Sequence, residues 1–96
     1  MIHKLATNVT TVTATDPVTI KFPGRVGIVV QTEVTGTVTA VIQGRSDDSA
    51  PWVNIGSPVT PNTIAVNASG PLMPKMRLNV TANSGSISAW LIESDI

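Results

Sequence analysis

The residues of this 96-residue chain that could do chemistry are few and widely spaced. There is one histidine, His3, and there is no cysteine or tyrosine. A Ser-His-Asp arrangement needs its imidazole held rigidly between a hydroxyl and a carboxylate. His3 instead precedes a Thr-rich run with no sign of rigidity. A carboxylate pair could be drawn from Glu33, Asp47, Asp48 and the tail pair Glu93 and Asp95. Glycoside hydrolysis needs two such groups about 5–10 Å apart across a cleft, and a small chain with 12% charged residues gives no sign of one. Asp47 and Asp48, with Ser46 and Ser49, offer oxygen ligands for Ca²⁺. That ion takes six to eight ligands, and two adjacent acids with no third nearby make a poor cage. The expectation there is a solvated loop closed by an Asx-turn. No enzymatic activity, cofactor or metal site is expected.

The tryptophans carry more information. Trp90 lies on the opposite face of its segment from Ile87, Ala89 and Leu91, so it faces outward with Ile92 if those three face a core. An outward Trp is a common interface anchor. Trp52 follows the polar run Gly44–Pro51 directly and is expected to pack at an edge of the fold. Arg25 and Arg45 sit beside turns, where they could pair with carboxylates of a partner or serve solubility alone. The residues expected to contact another subunit are Trp90, Ile92, Trp52, Val9, Val12 and Arg45. A sugar platform is a competing use for the tryptophans, but it needs two or three coplanar exposed aromatics and the chain has three aromatics in all. The Asn8-Val-Thr, Asn67-Ala-Ser and Asn79-Val-Thr triplets match the glycosylation pattern, and a chain this rich in Thr produces them by chance.

The elements that must position these residues are strands. Val and Thr make up about a quarter of the chain, and both are stiff at χ1 and favoured on pleated surfaces. Alternation is clearest in Lys75–Ile92. Met76, Leu78, Val80 and Ala82 point one way, then Asn83-Ser84-Gly85 turns the chain, then Ile87, Ala89 and Leu91 share a face. This pattern reads as a hairpin. Upstream, Val18, Ile20 and Phe22 alternate after Asp16-Pro17, and Phe22-Pro23-Gly24-Arg25 fits a type II turn. Val26–Glu33 and Thr37–Arg45 flank a turn at Thr35-Gly36. Trp52–Ile55 is a short strand, Gly56-Ser57-Pro58 a turn, and Ile64, Val66 and Ala68 a further strand closed by Ser69-Gly70-Pro71. Residues 1–15 hold no clean alternation and read as an extended N-terminal arm or an edge strand, able to lie on a neighbouring subunit. Residues 16–96 then form one domain. The fold expected is all-β, a small antiparallel β-sandwich, jelly-roll-like, of seven or eight strands.

Formal charge is zero, with six basic and six acidic residues. Phosphate backbones call for a basic excess on one face, so direct nucleic-acid binding is not expected. Low charge also leaves little electrostatic protection against association, which suits a protein that works bound to partners. No run of about 18 apolar residues could cross a membrane as a helix, and Met1–Asp16 lacks the apolar core of a signal peptide.

Three pieces of the C-terminal half together resemble a known group. They are Gln43-Gly44-Arg45-Ser46-Asp47 leading to Trp52-Val53-Asn54-Ile55-Gly56, then Met76-Arg77-Leu78-Asn79-Val80-Thr81, then Gly85-Ser86-Ile87-Ser88-Ala89-Trp90-Leu91. They resemble small virion proteins of tailed bacteriophages, head decoration (cement) proteins above all. The resemblance implies a homo-oligomer, typically a trimer, made in the host cytoplasm and seated on the capsid exterior. It would bridge subunits of the major capsid protein, with avidity multiplying modest contacts. The alternatives are a neck, tail or fibre module and, in a different class, a carbohydrate-binding β-sandwich.

Overall fold

In the computed structural model the residues described are 2–21, 23, 29–55, 58, 64–68 and 72–93, with the backbone alone at 29 and 64–68. Nine strand segments are present among them and no helix. They are β1 (Ile2–Val9), β2 (Thr13–Ala14), β3 (Val18–Thr19), β4 (Val29–Thr35), β5 (Val38–Arg45), β6 (Val53–Ile55), β7 (Ile64–Ala68), β8 (Lys75–Asn83) and β9 (Ser86–Ile92). The expected turns at Phe22–Arg25, Gly56–Pro58 and Ser69–Pro71 fall largely outside the described residues.

The strands form two antiparallel sheets. Sheet 1 runs β1-β9-β4-β7, and sheet 2 runs β2-β8-β5-β6 with β3 also on β8. Segments β2 and β3 are two pieces of one edge. Thr13 and Ala14 lie opposite Val80 and Asn79, and Val18 and Thr19 lie opposite Met76 and Lys75. Pro17 falls between them, and a residue without an N–H cannot donate to the ladder. Counting them as one strand, the pairs β1·β9, β2/β3·β8, β4·β7 and β5·β6 nest one inside the next. That is a long antiparallel hairpin rolled into a double sheet, the jelly roll. The molecule measures 19 Å along its shortest axis, which matches two sheets packed about 10 Å apart with their outer side chains.

Between the sheets lies one core. Sheet 1 contributes Leu5, Ala6, Val30, Val34, Ile87, Ala89 and Leu91, and sheet 2 contributes Val38, Ala40, Ile42, Ile55, Met76, Leu78 and Val80, with Ile20 and Leu72 arriving from the connections. The inward residues expected of β8 and β9 are there, except Ala82, which is exposed. A register shift sets Thr39 opposite Ala82 and Ala40 opposite Val80. Thr81 is the extra residue of that bulge, and Ala82 turns outward.

The hairpin expected at Lys75–Ile92 is not one. Strand β8 pairs with β5, β2 and β3, whereas β9 pairs with β1 and β4. The 83–86 turn is an arch from one sheet to the other, and its two arms face each other across the core. The β4–β5 turn is a second arch beside it. Gly36 there has φ +78°, and a Cβ on Gly85 would stand 1.8 Å from the Thr35 carbonyl oxygen. Ser84 donates its N–H and its hydroxyl to the Thr37 carbonyl at 2.9 and 3.1 Å. Two arches this close leave no room for a side chain at Gly85.

Residues 2–9, read from sequence as arm or edge strand, are an edge strand of sheet 1, with Leu5 and Ala6 buried in the chain's own core. Two register shifts interrupt the β1·β9 ladder, between Lys4 and Ala6 and between Ala6 and Val9. Asn8 takes φ 43°, a conformation Asn tolerates, and its N–H bonds to the Ser88 hydroxyl at 3.0 Å.

Candidate functional site

Among the described residues, side chains with chemistry collect in three places: the outer face of sheet 1, the outer face of sheet 2, and the junction of β1 with the end of β9.

On sheet 1, Ile2 lies directly opposite Ile92, and Lys4 opposite Trp90. Directly opposed residues share a face, and Trp90 and Ile92, two apart on β9, share it too. Ile2 is 68% exposed, Ile92 39%, and Trp90 half-buried. Lys4 Nζ stands 5.3 Å from the Trp90 ring centroid, within cation–π range. Gln31, opposite Trp90 on the other side, and Glu33 are exposed and give the patch a polar border. The sequence placed Trp90 and Ile92 outward together, and the structure does the same. Ile2 was not anticipated, because its exposure follows from a β1·β9 register that local alternation does not reveal.

Val9 and Val12 do not join this patch. Val9 is half-buried and packs against the chain's own core, and the turn after it is tied down by Asn83 Nδ2 donating to the carbonyls of Val9 and Thr11. Val12 is 62% exposed and leads into β2, at the edge of the other sheet.

On sheet 2, Trp52 sits just before β6, which pairs with β5 through Gly44 opposite Val53. Its ring is half-buried beneath two cations. Arg45 Cζ is 4.4 Å from the ring centroid and Arg77 Cζ 4.1 Å. Arg77 Nε donates to Gln43 Oε1 at 2.9 Å, and Gln43 Nε2 donates to Asn54 Oδ1 at 3.0 Å. Burial, and then the Arg45 charge, push the Arg77 guanidinium below its ordinary pKa. Arg45 approaches Asp48 Oδ1 at 3.4 Å. Trp52 therefore packs at an edge as expected, and the ring surface a sugar would need is taken up by guanidinium groups. Arg77 was not singled out by sequence. The signal for it was the polar face of β8, but linking that face to Trp52 requires the β5·β8 register.

The loop after β5 is closed by Asp47. Its Oδ1 accepts from the Ser49 hydroxyl at 2.6 Å, the Ser49 N–H at 2.8 Å and the Ala50 N–H at 3.1 Å. This is the Asx-turn the sequence suggested. The Ser49 hydroxyl first, then the Ser49 N–H, hold the carboxyl below its ordinary pKa. Among the described residues no group of three or more His, Cys, Asp and Glu is placed to hold a metal.

At the β1–β9 junction His3 Nε2 lies 2.7 Å from Glu93 Oε2, which also accepts the Lys21 N–H at 3.2 Å. The His3 side chain is 10% exposed and that of Glu93 is fully buried. Nothing local in the sequence joins these two residues, since 90 positions separate them and only the pairing of the first and last strands brings them together. The contact clamps the two ends of the described chain. Asp95, the other half of the tail pair, lies outside the described residues.

Comparison with protein-family models, with curated proteins and with solved structures found no match to this chain.

Proposed function

We propose that this chain is a structural protein that acts by multivalent contact with other proteins, in the form its C-terminal residues resemble. That form is a decoration protein on the outside of a bacteriophage head, a homo-oligomer, with a trimer as the expected form, bridging major capsid subunits. The observation that carries the reading is the contiguous Ile2–Ile92–Trp90 patch on sheet 1. It has apolar residues at the centre, a cation stacked on the indole and a polar border, as interface cores and their rims are built. A standard interface takes about 800 Å² from each partner, against an accessible surface of 5060 Å² for this chain, so one sheet face is enough. The jelly roll supports the reading only by analogy, since the same scaffold serves capsids and lectins. A glycan-binding role is less well supported, because cations stand over both indoles.

Electron microscopy of phage particles labelled against the chain tests the proposal. Label distributed over the head surface is expected. Label confined to the neck, tail or fibres would move the protein to another part of the virion, and particles without label would remove the virion assignment.

A further inference from the structure

Three of the six basic residues of this neutral chain stand together on the outer face of sheet 2. Arg45 is directly opposite Lys75, and Arg77, two residues along β8 from Lys75, is opposite Gln43. Like charges placed directly across a ladder repel, and the Trp52 ring brings two guanidinium groups within 4.4 Å of one centroid. The acids beside the cluster, Asp47 and Asp48 on the exposed loop after β5, offset this only in part. Among the described residues no carboxylate lies within ion-pair distance of Arg77. Asp48 meets Arg45 at 3.4 Å from a side chain that is 84% exposed, and an exposed pair of that kind contributes little. Lys75 Nζ donates to the Thr19 hydroxyl rather than to an acid, and Arg45 Nε is buried without a hydrogen-bond partner among the described residues.

The cluster is nevertheless oriented. The Arg77 fork is stacked on Trp52 and fixed by Gln43, which is itself fixed by Asn54. Among the described residues its two terminal nitrogens meet no acceptor, which leaves them for an outside one. A guanidinium whose plane is set in advance is the usual device for bidentate recognition of an oxyanion.

We infer that the outer face of sheet 2 binds a carboxylate of a partner protein, an Asp or Glu side chain seated on Arg77 and Arg45 with Lys75 beside it. The cluster is compact rather than a strip, and Asp47 and Asp48 adjoin it. That combination favours a single monoanionic group over a phosphate backbone, whose tracking needs an extended basic surface. The inference rests on sheet 2 alone and stands or falls independently of the patch on sheet 1.

The test is an NMR titration of the ¹⁵N-labelled full chain with tetraglutamate at low salt, read at the arginine Nε–Hε and Trp52 indole resonances, with inorganic phosphate and tetralysine as parallel arms. Saturable shifts with tetraglutamate are expected, with affinity falling at least about tenfold in Arg77→Gln, since a charge-assisted pair lost is worth that much. Arg77→Lys, which keeps the charge without the fork, is expected to bind more weakly than wild type. Unchanged core amide resonances at Ile87 and Leu91 establish that each variant is folded. Absence of shifts with tetraglutamate, equal affinity in Arg77→Gln, or tighter binding of phosphate than of tetraglutamate would each overturn the assignment.

Discussion

Thr32 sits in β4 between Val30 and Val34, fully buried, with its hydroxyl lacking a hydrogen-bond partner among the described residues. A buried polar group left unpaired costs about 1–3 kcal/mol, and Val has nearly the same shape. Thr32→Val is therefore expected to raise stability by about 1 kcal/mol, seen as a higher urea midpoint at unchanged slope. A lower midpoint would mean that the hydroxyl is satisfied. Asp47 gives a second prediction at this scale. Its carboxyl is depressed by the Ser49 hydroxyl and then by the Ser49 N–H. A depressed folded-state pKa adds stability above the unfolded value, and that stability is lost as pH falls through the folded one. The amide shifts of Ser49 and Ala50 should accordingly titrate with a midpoint below the ordinary 3.8; a midpoint at or above it contradicts the three-donor geometry. The acidic loop was legible because an Asx-turn is local chemistry. The His3–Glu93 clamp and the Arg77–Trp52 stack were not, because each joins residues that only strand pairing brings together.

The element most clearly marked in the sequence is an arch where its pattern predicts a hairpin. The alternation of Met76, Leu78 and Val80, then Ile87, Ala89 and Leu91, marks two strands and their buried faces correctly. In a hairpin those faces lie side by side in one sheet, and in an arch they oppose each other across a core. The alternation and the Asn83-Ser84-Gly85 turn are the same in both, so local pattern cannot choose between them. Edge segments were obscured for another reason. Strand β1 carries two register shifts, which place Leu5 and Ala6 inward in succession and erase period 2. Packing of the two arches makes a prediction of its own. A Cβ at Gly85 would lie 1.8 Å from backbone oxygen, whereas at Gly36 the nearest approach is 3.0 Å, to the Gly85 Cα, at φ +78°. Gly36→Ala is expected to cost about 1–3 kcal/mol as strain at positive φ, and Gly85→Ala to cost more or to prevent folding. Urea unfolding of the two variants checks the order, and equal stabilities would mean that the arches separate readily.

For the whole molecule, a composition rich in Val and Thr pointed to strands, and apolar alternation recurring at short intervals pointed to a β-sandwich. The nesting of first strand with last, second with eighth, and inward to β5·β6 realises the jelly-roll-like arrangement expected. What composition could not reveal is which outer face stays free. Sheet 1 presents an apolar patch and sheet 2 a cationic one, so the two sides of the sandwich suit different partners. The first of these faces is the one proposed to join copies of the chain. Light scattering of the wild-type chain and of the Ile2→Ser/Ile92→Ser double variant, across a wide concentration range, tests this most directly, since both side chains are exposed and their loss leaves the core intact. The wild type is predicted to rise from 10.0 kDa to a discrete multiple while the variant, with the same thermal unfolding profile, stays at the monomer mass. A wild type that remains at the monomer mass at the highest concentration, or a variant that assembles as well as the wild type, would contradict it.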